Sequence, residues 1–144
     1  MKYFRARGAL AALAMALAIV LALTGCHSRE ASGAARVLLD GELWSGEAIA
    51  QPEGDGLRVY ITLDGAALIE LPFSQPRTVT VEQPGIGENT VALTGGSVYM
   101  SHADCDNQDC VNMGEVTAEN LELRVMGGFI VCLPHKLSVE VREQ

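Results

Sequence analysis

The sequence predicts an all-β fold: a small β-sandwich or barrel-like domain of short antiparallel strands that follows an N-terminal signal peptide. From about residue 37 onward, apolar residues recur at every second position, as expected for half-buried strands. Turns containing glycine or proline separate these short runs, and this spacing is typical of sandwiches and barrels. The same part of the chain lacks the 3.6-residue periodicity of a long helix.

A β-hairpin is the clearest local prediction. Residues 57–63 read Leu-Arg-Val-Tyr-Ile-Thr-Leu, and a second run covers residues 66–71. Asp64-Gly65 separates the two runs, and Asp-Gly in this position is the strongest short-range signal of a hairpin. We therefore predict two adjacent antiparallel strands here.

The remaining strands follow from the same alternation. They are predicted at 77–82, 89–93, 97–100, 121–125, 129–133 and 137–141, and a single helical turn is predicted within 106–112. The sequence contains no phosphate-binding glycine motif, no Gly-x-Ser-x-Gly and no His-Glu-x-x-His. We therefore expect a protein without enzymatic activity, without catalytic residues and without a cofactor.

The first 25 residues have the layout of a secretory signal peptide. Lys2, Arg5 and Arg7 precede a nearly uncharged apolar run at 9–22. This run of about 14 residues is shorter than the roughly 20 that cross a bilayer as a helix. The pattern favours a cleaved signal peptide over a transmembrane anchor.

The end of this segment resembles the lipobox of bacterial lipoproteins. Leu-Thr-Gly-Cys occupies 23–26, and the cysteine of such a motif is acylated, typically with palmitate, and becomes the new N-terminus. The predicted organisation is a lipoprotein signal peptide at 1–25, the lipid-attachment residue Cys26 with a flexible tether at 26–36, and the β domain at 37–144. The lipid would hold the domain on the extracytoplasmic face of the cell membrane.

The charge of the chain argues against nucleic acid as a partner. The chain has 10 basic and 18 acidic residues, a formal net charge of −8. Loss of Lys2, Arg5 and Arg7 with the signal peptide leaves 7 basic and 18 acidic residues, or −11. Such a domain repels phosphate backbones, so we expect no nucleic acid as a partner. The expected partners are the membrane, reached through the lipid anchor, and a membrane or envelope protein.

Three segments in the C-terminal half carry a resemblance to a known family. They are Asp-Cys-x4-Cys-Val at 104–111, Gly-Gly at 127–128 and Ile-Val-Cys-Leu-Pro-His-Lys-Leu at 130–137. Together they resemble the bacterial NusG domain II-like family, and specifically its secreted or membrane-tethered members. The resemblance implies a compact all-β domain in which the Cys105 loop and the Cys132 strand are near each other. It also implies an association with membrane flavin and quinone electron-transfer systems, and it does not imply transcription.

Three cysteines, Cys105, Cys110 and Cys132, remain once Cys26 is set aside. In an oxidising compartment one structural disulfide is expected, either between Cys105 and Cys110 or from one of them to Cys132. The same three residues could instead form a redox-active site in which the third thiol resolves a disulfide. With a structural disulfide the chain is a non-catalytic accessory module. With a redox-active site it is, as the alternative function, a thiol-disulfide redox protein.

A metal site is the third interpretation of these cysteines. His102 or His135 could complete a Cys3His zinc set. The spacing argues against this, because zinc modules commonly use two-to-four-residue knuckles in pairs and this chain has one Cys-x4-Cys. We therefore expect no metal, with metal binding as the less favoured function.

Overall fold

The structure, a computed structural model, describes residues 33–52 and 56–144. Within these ranges the chain is nearly all β, as predicted. The strands are β1 (Arg36–Leu39), β2 (Glu42–Leu43), β3 (Leu57–Leu63), β4 (Ala66–Pro72), β5 (Arg77–Gln83), β6 (Gly87–Leu93), β7 (Ser97–Ala103), β8 (Val116–Thr117), β9 (Phe129–Cys132) and β10 (Leu137–Glu143). A helical turn, α1 (Asp109–Asn112), lies between β7 and β8, inside the segment where one was predicted. The predicted signal peptide and Cys26 lie outside the described residues.

Six strands form one antiparallel sheet, in the order β2-β1-β5-β6-β7-β8. The alternation of β5 suits a place near the middle of this sheet, because Val79 and Val81 point into the core while Thr78 and Thr80, which alternate with them, face outward. Val79 pairs with Val91 of β6, and Val81 pairs with Asn89. This register brings a polar side chain, Asn89, to a fully buried position.

The other sheet has four strands, in the order β4-β3-β10-β9. Strands β3 and β4 are the predicted hairpin, and Asp64 and Gly65 have φ angles of 49° and 80°. Positive φ at both positions is the geometry of a type I′ turn, which glycine adopts without strain and aspartate tolerates. Strand β10 is central, since it pairs with β3 on one side and with β9 on the other.

The inner faces of the two sheets share one apolar core, so the fold is a β-sandwich. Val59, Ile61 and Val139 come from the four-stranded sheet, and Val91 and Val98 come from the six-stranded sheet. All five side chains are fully buried. At about 25 cal/mol per Å² of apolar surface removed from water, this core is the main source of stability for a domain of this size.

The strand predicted at 121–125 is wrong. This segment forms consecutive turns, in which the backbone N–H groups of Leu123 and Arg124 both donate to the carbonyl oxygen of Asn120. The apolar residues that suggested a strand, Leu123 and Val125, are exposed. The Asn120 side chain accepts a hydrogen bond from Thr117 N at 2.9 Å and so favours a turn at this point.

Met113, just after α1, and the turns between β8 and β9 together cover the outer edge of β9. The Sδ atom of Met113 accepts a hydrogen bond from Val131 N at 3.4 Å. The Arg124 guanidinium donates to the carbonyl oxygens of Met113, Glu115 and Gly127 at 3.0, 2.8 and 3.1 Å. Strand β9 is thereby held between β10 and this covering segment.

No helix in the described part of the chain is both long and apolar enough to cross a bilayer.

Candidate functional site

The fold brings Cys105, Cys110 and Cys132 together. Their three Sγ atoms all lie within 4.8 Å of one another, and those of Cys105 and Cys110 are 3.6 Å apart. Each residue is less than 5% exposed, so the cluster is closed to bulk water. All three thiols are free, because a disulfide requires its sulfurs about 2.05 Å apart. We refer to these three residues as the cysteine cluster.

The end of β7 and the loop that follows it position Cys105. The side-chain amide of Gln108 donates to the carbonyl oxygens of Ala103 and Cys105, at 2.7 and 2.6 Å. Gln108 has a φ of 53°, an uncommon conformation for a residue with a side chain, which turns the loop back over the strand. The loop therefore carries the chain from Cys105 into α1 within a few residues.

Helix α1 carries Cys110 and presents it to the core. Burial raises the pKa of the Cys110 thiol to about 12, and hydrogen bonding with Cys132 and Cys105 adds to the effect. A thiol with such a pKa stays protonated at neutral pH, and the thiol is a far weaker nucleophile than the thiolate. In the reduced, metal-free domain Cys110 is therefore slow to attack an external disulfide.

Cys132 is the last residue of β9 and faces the same core. It pairs with Leu137 at the start of β10, and the turn between them contains His135. Because β9 is held on one side by β10 and on the other by Met113 and Arg124, the position of the third thiol is set by the four-stranded sheet.

A polar network, buried at Asn89, Gln83 and His135 and exposed at Asp104, links the two strand ends next to Cys105 and Cys132. His135 Nδ1 donates to the side-chain oxygen of Asn89 at 2.8 Å, and His135 Nε2 lies 3.4 Å from a carboxylate oxygen of Asp104. The Gln83 side chain donates to the His135 carbonyl oxygen at 3.0 Å. Since Asp104 precedes Cys105 and His135 follows Cys132, this network fixes the turn after β9 against β6 and the end of β7.

Gly87 provides the space that this network needs. A Cβ atom at this position would overlap the ring of His135 and the carboxylate of Asp104. The backbone N–H of the next residue, Glu88, donates to the same Asp104 carboxylate at 2.7 Å. A residue without a side chain is therefore required where β6 passes the network.

The two candidate histidines do not form a cluster with the thiols. Among the described residues, the one group of three or more metal-ligating side chains with convergent ligand atoms contains Cys105, Cys110 and Cys132 alone. His135 is buried, and both of its ring nitrogens face Asn89 and Asp104. His102 is exposed on β7. The arrangement thus supplies three sulfur ligands and no imidazole.

Sequence reasoning missed the residues that position the cluster. None of Asn89, Gln83, Gln108 and Met113 was singled out from the sequence. A polar Asn89 at an inward-facing position of β6 was the available signal, because buried polar groups require partners.

The fold and the cysteine cluster define a small all-β domain with a buried three-thiol site. The chain belongs to the NusG domain II family, whose family model matches residues 10–144. No curated protein matches the chain.

Two solved structures with similar folds come from bacteria. The crystal structure of the Lin0431 protein from Listeria innocua is 25% identical with a TM-score of 0.53, and the match covers 62% of this chain and 99% of that one. A DUF1312 family protein from Enterococcus faecalis, EF3258, is 18% identical with a TM-score of 0.53, covering 61% of this chain and 98% of that one. The second similarity shows the fold alone.

Proposed function

We propose that the chain is a non-catalytic accessory domain, held by a lipid on Cys26 at the extracytoplasmic face of the membrane, in which Cys105 and Cys110 form a structural disulfide. The observation that carries the disulfide is the distance of 3.6 Å between these two sulfurs. An approach of about 1.5 Å reaches the S–S bond length. Both residues lie in the segment that runs from the end of β7 through α1, outside the regular strands.

Formation of this disulfide removes two electrons and two protons from the pair of thiols. The oxidant is the disulfide of an extracytoplasmic thiol oxidoreductase, which is reduced to two thiols as the Cys105–Cys110 bond forms. The closed loop is short, so the gain in stability is below the roughly 3 kcal/mol expected for a loop of about 15 residues. Cys132 then remains as the single buried thiol.

The acidic surface supports a docking role for the domain. The mature part carries a formal charge of −11, and its carboxylates lie largely on the surface of the sandwich. A partner with a basic surface at the membrane fits this charge, and complementary charge accelerates association. The family resemblance points to a membrane or envelope protein of an electron-transfer assembly as that partner.

Reversible thiol-disulfide exchange is the second candidate function. It is favoured by one observation, the position of Cys132 within 4.8 Å of both other sulfurs. In this function Cys132 attacks the Cys105–Cys110 bond and the disulfide moves to a new pair, with no net change in oxidation state.

Thiol mapping separates the two candidates. The full chain with Cys26→Ser is purified in detergent after oxidation, alkylated, digested and mapped by mass spectrometry. A fixed Cys105–Cys110 disulfide with an unreactive Cys132 supports the structural function. Mixed connectivity with a readily alkylated third thiol supports exchange. Three alkylatable thiols after oxidation would refute both.

The lipid anchor has its own test. A Cys26→Ala variant is expected to leave the membrane fraction and appear in the medium or soluble envelope fraction, whereas Cys132→Ala, the control, stays with membranes. Retention of the Cys26→Ala variant in membranes would contradict lipidation.

A further inference from the structure

We infer that the reduced cysteine cluster is a three-coordinate thiolate site for Cu(I). This site uses the same thiols as the proposed disulfide but in the reduced protein, and it departs from the expectation that the chain binds no metal. The sulfur geometry is the first argument. An ion in trigonal planar coordination, with three metal–sulfur bonds of about 2.3 Å, places the three sulfurs about 4.0 Å apart. The three Sγ atoms lie within 4.8 Å of one another, with one pair at 3.6 Å, so small side-chain adjustments suffice.

The set of ligands favours copper over zinc. Structural zinc takes four ligands. The described residues bring only three ligand atoms together, and all three are sulfur. His135 is committed to Asn89 and Asp104, and His102 lies on the exposed surface. Thiolates are soft ligands that suit Cu(I) and zinc alike, but Cu(I) accepts the three-coordinate geometry that structural zinc sites do not use.

The three ligands are positioned before any ion arrives. Cys132 is set by the pairing of β9 with β10, and Cys105 is set by Gln108 and the end of β7. The network of His135 and Asp104 fixes these two strand ends relative to each other. A site whose ligands need little reorganisation loses less free energy on binding.

The route to the cluster suits a cation. Asp104, Asp106 and Asp109 surround the loop between Cys105 and Cys110, and all three carboxylates are exposed. They raise the local concentration of cations beside the loop that carries Cys105 and leads to Cys110. Burial of the cluster then shields the bound ion from water and from oxidation.

Competition with a chromophoric chelator tests the site. The full chain with Cys26→Ser is reduced, freed of reductant under anaerobic conditions and titrated with Cu(I) in the presence of bicinchoninate. We expect one equivalent of Cu(I) to be withheld from the chelator. X-ray absorption should then show three sulfur ligands at about 2.3 Å. No retention by the folded, reduced chain would overturn the proposal, as would retention of Zn(II) in its place.

Single substitutions identify the ligands and separate this proposal from the disulfide. Cys132→Ala is expected to weaken Cu(I) binding by at least about 100-fold, the upper range for disrupting a metal site's support. The same variant still forms the Cys105–Cys110 disulfide on oxidation, so failure of copper binding and failure of the disulfide are distinguishable. His102→Ala, the control, should bind copper as the parent chain does. Circular dichroism shows whether Cys132→Ala folds as the parent does, and Cys132→Ser serves as the second variant. Full copper retention by folded Cys132 variants would refute the three-sulfur site.

Discussion

His135 Nδ1 donates a hydrogen bond of 2.8 Å to the side-chain oxygen of Asn89, and both residues are buried. The two residues lie on different sheets, since Asn89 belongs to β6 and His135 to the turn between β9 and β10. The bond therefore joins the two halves of the sandwich beside the cysteine cluster.

Replacing Asn89 with Leu should destabilise the domain by about 1–3 kcal/mol, because the imidazole N–H loses its partner in a buried site. Urea unfolding of the reduced chain measures the change. The control is His102→Ala at an exposed position, which should stay within about 0.5 kcal/mol of the parent. A loss for Asn89→Leu no larger than that of the control would show that the bond contributes little.

Gly87→Ala should cost about 1–3 kcal/mol, because its methyl group overlaps His135 and Asp104 and the network must shift. Gly96→Ala is the matched control, since a Cβ there has nothing within 4 Å. Thermal unfolding of the two variants should separate them clearly. Equal midpoints would mean that the network accommodates the methyl group without strain.

The reduced domain should lose stability in alkali through Cys110. Its pKa is raised from 9.0 to about 12 by burial, so the folded state keeps a proton that the unfolded state releases. The stability that the folded state owes to the protonated Cys110 thiol is fully present below pH 9. It falls by about 1.4 kcal/mol per pH unit as the pH rises toward 12.

Unfolding free energies of the parent chain and Cys110→Ala, compared under reducing conditions from pH 7 to 11, measure this dependence. Their difference should be constant up to about pH 9, near the thiol's ordinary pKa, and shrink above it. A difference independent of pH across this range would contradict the raised pKa.

The stability of the folded domain should also depend on pH in the acid range, through Asp40. Partial burial raises its pKa, but hydrogen bonds from Thr78 N at 2.9 Å and Arg77 at 2.7 Å outweigh this and lower the pKa below 3.8. The folded state therefore favours the carboxylate, and the stabilisation present above pH 3.8 is lost as the pH falls through the lowered value.

Asp40→Asn is expected to cost about 0.2–1 kcal/mol at pH 7, since the pair is partly exposed. The gap to the parent chain should close in acid. Glu143→Gln, at the exposed end of β10, serves as the control and should give no comparable gap. If the Asp40→Asn variant were still less stable than the parent chain at pH 2, the loss would come from the packing of the side chain and not from its charge.

The strands could largely be predicted because each buries one face, and burial on one face leaves a period of two in the sequence. The hairpin at Asp64-Gly65 was predictable for a local reason, the positive φ of its turn. The failure at 121–125 shows the limit of this signal. Leu123 and Val125 alternate as strand residues do, yet nothing local states whether a neighbouring strand exists to pair with them.

The three thiols of the site could be predicted from the sequence, but the residues that position them could not. The spacing of Cys105, Cys110 and Cys132 is visible in the sequence, and the family resemblance implies their proximity. The direction of His135 is not visible, because it depends on the register that places Asn89 opposite the turn after β9. Such contacts join residues far apart in the chain and leave no periodic trace.

The central position of β10 governs when the cysteine cluster can assemble. This strand follows all of its partners in the chain, so the four-stranded sheet remains incomplete until residue 143 has left the ribosome. Pairing of Leu57 with Glu143 closes a long stretch of chain, and such distant contacts slow folding. Until then Cys132 has no fixed place beside Cys105 and Cys110. The order of synthesis therefore leaves the three thiols unprotected until the last strand has paired, and their correct chemistry depends on folding outrunning oxidation.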